Sequence, residues 1–181
     1  MRQEQLLSNM EYQDQEFEGE TFSDLDLTER SFKNTKFIDC VFQNCNLSNI
    51  DLNNTRFQDV RFIDCKVMGL DISKCNDFLL SFSFEGCLLS YSIFSDMDLE
   101  NTEFINCKIH GCDLVNTNLK NANFDGSDLM DSMFGNTDLS FASFRNAKNY
   151  EIDPNNNRLQ KTKFSIPEVL SLLNVFDIEI D

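Results

Sequence analysis

The sequence predicts an all-β solenoid of stacked square coils, and three observations predict it. A large apolar residue returns every fifth position, a small residue stands two positions before most of them, and folding the chain at twenty residues per turn gives chemically pure columns. A period of five fits neither the 3.6 of a helix nor the 2.0 of a strand, so it marks a structural repeat.

The large-residue series starts at Phe17 and runs through Phe22, Leu27, Phe32 and Phe37 to Ile72, then resumes at Leu79 and continues to Phe144. The small residues are Thr35, Cys40, Cys45, Thr55 and Cys65, and later Cys87, Ser92, Thr102, Cys107 and their successors to Ala142. The three other positions of each five are mostly Asp, Asn, Lys, Glu, Ser or Gly. Two inward positions two apart and three wet ones describe a short extended stretch plus a corner. Four such stretches close one coil, stacked on the next at roughly 4.8 Å. One column then reads Phe22, Phe42, Phe62, Phe84, Phe104, Phe124, Phe144, and the next Leu27, Leu47, Val67, Leu89, Ile109, Leu129. The register shifts by two between Ile72 and Leu79 while both columns stay pure. Residues 73–78 therefore read as a two-residue bulge at a corner, not as a domain boundary.

Segments such as Ala122-Asn123-Phe124-Asp125-Gly126, Ser127-Asp128-Leu129-Met130-Asp131, Thr137-Asp138-Leu139-Ser140-Phe141 and Cys112-Asp113-Leu114-Val115-Asn116 carry the motif A(D/N)LXX. Over residues 17–144 the chain resembles the pentapeptide-repeat family, and the resemblance implies a right-handed quadrilateral β-helix.

Residues 1–16 read as an N-terminal cap or ragged first coil, with Tyr12 already in register; solenoids need such caps over their open ends. The β-helix proper is expected over 17–146 and a C-terminal module over 147–181. There Ser165-Ile166-Pro167-Glu168 has the S-x-x-E form of a capping box with Pro in the first turn. A short helix is expected over 166–174, carrying Val169, Leu170, Leu172 and Leu173. Phe176, Ile178 and Ile180 alternate with acidic residues, as in a half-buried strand. This apolar surface either caps its own coil or mates with a second copy across a two-fold axis. The ending resembles the C-terminal module of the quinolone-resistance (Qnr) pentapeptide proteins, which implies a head-to-head homodimer with Val169, Leu170, Leu173, Phe176 and Ile178 as contacts.

Eighteen Phe and no Trp suit a packed column of rings without polar atoms to satisfy. All seven Cys fall on the small inward position, where free cysteine acts as a small apolar group. Reduced thiols point to the cytoplasm. Cys45, Cys65, Cys87 and Cys107 share a column, which admits a redox or metal string, but the single histidine, His110, falls on an outward position. No signal peptide is expected, since residues 1–16 are too polar, and no stretch approaches the roughly 20 apolar residues of a membrane span. No cofactor is expected. There is no Gly-rich phosphate loop and no Ser/His/Asp or Cys/His set. Carboxylates such as Asp98 and Asp138, two coils apart, read as solvated, so an enzyme is not expected.

Net charge is −16 and unevenly spread: −8 over residues 1–29, +2 over 30–75, −9 over 76–144 and −1 over 145–181. The third segment would occupy roughly 17 Å of axis, giving about one charge per 1.9 Å against about 1.7 Å for duplex DNA. Two readings follow. The resemblance implies a DNA-mimicking modulator of a type II topoisomerase, gyrase or topoisomerase IV, linked to quinolone resistance. Asp96, Asp98, Glu100, Glu103, Asp113, Asp125, Asp128 and Asp131 would stand in for phosphates. The chain lacks the large loops of Qnr proteins, and loopless family members are associated with inhibiting the enzyme. The alternative is a general protein-interaction scaffold, in which the mixed-charge stretch with Lys33, Lys36, Arg56, Arg61 and Lys66 matters as much. One continuous negative stripe favours mimicry; a scattered mosaic favours the scaffold.

Overall fold

The computed structural model describes residues 11–176, 178 and 179. Most of the expected N-terminal cap, residues 1–10, and Ile180 of the expected last strand lie outside the described residues.

The chain forms the expected quadrilateral β-helix, a parallel solenoid of about seven turns. Each side of the square is one row of residues stacked in register along the axis. The first face carries the strands Glu16–Glu18, Lys36–Ile38 and Arg56–Gln58, paired in parallel. The second joins Thr21–Ser23, Val41–Gln43, Val60–Ile63, Phe82–Glu85 and Glu103–Ile105 in one sheet. The third pairs Lys66–Met68, Leu88–Ser90 and Lys108–His110. The fourth is held by single bridges such as Ser31↔Asp51 and Asp71↔Ile93.

The core is the predicted set of columns. Phe22, Phe42, Phe62, Phe84, Phe104, Phe124 and Phe144 stack with centroids 4.7–5.6 Å apart. These offset stacks combine large apolar burial with favourable ring geometry. Between columns sit the small residues, and they do more than fill space. Thr55 Oγ1 donates to the Phe32 carbonyl at 2.8 Å, Thr117 to Phe94 at 2.9 Å, and Ser132 to Ile109 at 2.7 Å. Thiols do the same: Cys45 Sγ reaches Phe22 O at 3.4 Å and Cys87 Sγ reaches Phe62 O at 3.3 Å. The small position thus supplies a donor to the backbone of the coil before it, which is why Thr, Ser and Cys interchange there.

The corners explain the Asp and Asn content. The residue two after each large one commonly has φ near +55°, as at Asn34, Asn44, Asp64 and Asn116, a region Asn and Asp tolerate best among non-glycine residues. Where Asp or Asn stands just before the large residue it can close an Asx turn, its side chain accepting from the amide two residues on: Asp51 from Asn53, Asp113 from Val115, Asp138 from Ser140.

Several expectations need correction. The insertion is shifted: Asn76 N still bonds Thr55 O at 2.8 Å, whereas Val60 pairs with Phe82, so the extra residues lie within Asp77–Leu80 rather than at 73–78. Leu79, expected in the core, is 59 % exposed at φ 56°, and Leu80 packs against the core instead. A repeat count cannot tell which of two adjacent leucines turns inward.

The solenoid also does not stop at 146. Phe144 pairs with Phe164, whose ring stacks on it at 5.3 Å, and Asp138 bridges Arg158. Met133 bridges Glu151, eighteen residues on, so the last coil first loses two residues and then regains them, which hides its register in the sequence.

The short terminal helix is present as expected, but it is a 3-10 helix and runs over Glu168–Phe176, two residues later than 166–174. The capping box does not cap it: Ser165 Oγ accepts from Asn146 N at 3.1 Å and Glu168 Oε1 from Asn149 N at 2.6 Å. Both side chains satisfy amides at two corners of the solenoid instead. Ile178 and Glu179 form no strand.

Candidate functional site

A square solenoid gives each residue a fixed face, so the eight expected acidic contacts can be placed one by one. Asp96 sits at the corner between the fourth and first faces, at φ 61°. Asp98 and Glu100 flank the buried Leu99 on the first face, and Glu103 opens the second face just past the next corner. These four belong to one coil and all are exposed. Asp113 lies on the fourth face, Asp125 on the second, Asp128 on the third, and Asp131 at the corner between third and fourth. The carboxylates therefore do not make one stripe. The structure gathers half of them and spreads the rest over the other three sides.

The gathered group borders a groove of about 460 Å³ lined by Asp77, Leu79, Leu80, Asp96, Met97, Asp98 and Glu100. The insertion forms one wall and adds Asp77, which a count of repeat positions does not single out. The turn geometry here needs an acceptor oxygen, not a charge. Asp98 accepts from Glu100 N at 3.3 Å, while Asn118 and Asn123 do the same service one coil on. Asp in place of Asn at 98 thus adds charge beyond what the fold requires. Among the described residues one cation pairs with the group, Lys120 at 3.4 Å from Glu100.

Asn116, Asn118 and Asn121 donate to Asp96, Asp98 and Glu100 at 3.0, 2.8 and 3.2 Å, and two of the remaining carboxylates, Asp125 and Asp128, are engaged as well. Asp125 accepts from Ser143 Oγ at 2.6 Å and Arg145 N at 2.9 Å. Asp128 stands 3.6 Å from His110 and 3.5 Å from Lys148, and accepts from Asn149 at 2.8 Å. Partial burial pushes the Asp128 pKa up, but Asn149, His110 and Lys148 together outweigh it and hold the carboxyl below its ordinary value. Asp128 is a locally neutralised strut rather than a free phosphate surrogate.

The cysteine column stands as expected, with Cys65 Sγ accepting from Cys45 N at 3.4 Å and Cys87 Sγ from Cys65 N at 3.3 Å. The Cys65 and Cys87 thiols are pushed up to about 12: at Cys65 the hydrogen bond with Cys45 lowers the value but the bond with Cys87 and burial outweigh it, and at Cys87 the bond with Cys107 and burial outweigh the lowering by Cys65. Protonated thiols are poor nucleophiles and ligands, and among the described residues no His, Cys, Asp and Glu gather as a metal site would need. No helix among them is long and apolar enough to cross a membrane.

Of the expected dimer contacts, Leu170, Phe176 and Ile178 are 44 %, 50 % and 56 % exposed, and Val169 and Leu173 are half-buried. The three-residue period of the helix aligns Leu170, Leu173 and Phe176 in one stripe, while Leu172 packs on the core.

Comparison with known proteins agrees with this architecture. The family profile described as Pentapeptide repeat region matches residues 15–82, 35–114 and 78–153. A search of curated proteins found no match. Among solved structures, a trypsin-treated variant of QnrB1, a plasmid-mediated fluoroquinolone resistance protein, superposes with TM-score 0.68 at 18 % identity, covering 94 % of this chain and 92 % of that one. Full-length QnrB1 gives 0.57 at 18 % identity, covering 92 % of each. The chain belongs to the pentapeptide-repeat family.

Proposed function

We propose that this chain is a non-enzymatic, DNA-mimicking protein of the cytoplasm that binds a type II topoisomerase, gyrase or topoisomerase IV. The observation that carries the reading is the exposed run Asp96, Asp98, Glu100 and Glu103 on one edge of a single coil, beside a groove to which Asp77 adds a further carboxylate. Carboxylates held at fixed spacing on a rigid rod present to Lys and Arg what a phosphate backbone presents. The fold shared with QnrB1 supports the choice of partner class. A homodimer through the stripe Leu170, Leu173 and Phe176 extends the rod and places one such acidic edge on either side of its centre.

The spread of Asp113, Asp125, Asp128 and Asp131 over the other three faces favours the second reading, a scaffold whose faces take an unrelated partner. A gyrase supercoiling assay, titrating this protein with and without a quinolone, separates them. Mimicry is expected to change supercoiling or drug sensitivity, with an effect that weakens steeply as salt rises. The fourfold variant Asp96→Asn, Asp98→Asn, Glu100→Gln, Glu103→Gln keeps the turn acceptors and is expected to lose most of that effect. If wild type neither alters supercoiling nor competes with DNA at low salt, the scaffold reading stands alone.

A further inference from the structure

Exposed large apolar side chains stand at the insertion and at the C-terminal helix. Four others gather elsewhere, at the edge where the third and fourth faces meet: Tyr91, Ile93, Met130 and Met133, 72 %, 39 %, 43 % and 55 % exposed. Register fixes their arrangement. Ile93 bridges Asp113 and Asp113 bridges Met133, so the two apolar residues stand on one row two coils apart, roughly 9.6 Å. Tyr91 and Met130 flank that row on the third-face side, with Gly111 on the coil between them, its amide bonded to Met130 O at 3.0 Å.

Neither packing nor backbone asks for a tyrosine at 91. The position has φ 54°, where a bulky side chain is unfavourable and Asn, Asp or Gly is the easy choice. In the coil above stands Gly111, at φ 63°; a Cβ there would lie 2.9 Å from the Tyr91 ring. The ring therefore occupies space that a glycine leaves open, and most of it faces solvent.

The fourth-face row through this edge reads Asp71, Ile93, Asp113, Met133, Glu151 in consecutive bridges. Acid and apolar residues thus alternate at steps of roughly 4.8 Å, with Asp131 alongside. Lys74 pairs with Asp71 at 3.1 Å, and among the described residues no ion pair reaches Asp113, Asp131 or Glu151. The complement of such a row is a helix. Residues seven apart on a helix are separated by roughly 10.5 Å, with those three and four along lying midway. That spacing matches apolar anchors two coils apart with an acid between them.

We propose that this edge is a docking surface for a basic amphipathic helix of a partner protein, lying along the solenoid axis. Its apolar residues seat on Ile93 and Met133, and lysine or arginine midway between them meets Asp113, with Tyr91 and Met130 closing the side. Tyrosine and methionine are enriched at interfaces, and the flexible thioether absorbs the mismatch of about an ångström between the two spacings. This surface is distinct from the Asp96–Glu103 edge and does not depend on it.

The test uses the full chain and a synthetic helix with leucine at every seventh position, lysine pairs midway between, and alanine and glutamine elsewhere. A peptide of the same composition in scrambled order is the control, and binding is read by fluorescence anisotropy. The patterned peptide is expected to bind at least about tenfold more tightly than the scrambled one. Tyr91→Ser with Met133→Ser, which alters no charge, is expected to erase that preference without lowering the thermal midpoint. Asp98→Asn with Glu100→Gln is expected to leave it intact. Equal binding of the two peptides to wild type overturns the proposal, as does a preference that survives the double substitution. A wild-type mass in sedimentation that falls on that substitution also overturns it, because a second copy then covers the edge.

Discussion

At the scale of single residues, the repeat is a division of labour among hydrogen-bonding groups. The small inward residue looks in the sequence like a spacer, yet Thr117 bonds the Phe94 carbonyl and also lies within 3.3 Å of Val115 O. Thr117→Val keeps the shape and removes the donor, leaving a buried carbonyl short of a partner. It is expected to cost about 1–3 kcal/mol in urea unfolding, and Thr117→Ser less. The acidic residue before each large one is equally local in purpose, which is why composition overstated the acidic face: Asp113 and Asp138 make turns before they make potential. Asp128 carries a further consequence. Its folded-state pKa lies below the unfolded value, so it stabilises the fold above that value and the contribution disappears as pH falls through the folded pKa. Asp128→Asn is therefore expected to lower stability at pH 7 and to give a shallower loss on acidification below about pH 5, the two proteins converging in strong acid. Thermal midpoints across that range check the sign.

At the scale of elements, the columns were legible because side chains of one kind stack on themselves, and in-register parallel pairing turns a sequence period into a spatial row. What stayed illegible is where the period breaks. The insertion and the last coil depend on which residue a locally irregular backbone turns inward, and a count of fives carries no information about that. Ser165 and Glu168 show the same limit from another side: their spacing signals a helix cap, but the nearer unsatisfied donors were the amides of Asn146 and Asn149 on the solenoid. The insertion supplies a measurable case. Leu79 holds φ 56° while mostly exposed, so it bears left-handed strain with little packing in return. The strain at such a position is of order 1–2 kcal/mol. Leu79→Asn is expected to raise the melting temperature by about 2–4 °C. A fall instead means that the leucine contributes packing that outweighs the backbone cost.

At the scale of the whole molecule, the acidic edge and the ends obey different logic. Faces were not readable from charge totals: a net −9 over residues 76–144 matches the charge density of DNA only if it faces one way, and the coil geometry distributes it over four sides. The C-terminus is the reverse case, where an apolar excess in the sequence does become one surface. Leu170 and Phe176 are 44 % and 50 % exposed and share a stripe with the half-buried Leu173, while Leu172 already anchors the helix to its own coil. Capping thus occupies one side of the helix and leaves the other open, and the partner we propose for that side is a second copy related by a two-fold axis, which would close it without leaving a further open end. Leu170→Asp with Phe176→Asp changes only the open side. It is expected to convert a dimer to a monomer in sedimentation equilibrium while leaving the thermal midpoint of the solenoid within a few degrees. If the mass of wild type is already that of one chain, the helix serves only as a cap, and the rod ends where this chain's last coil does.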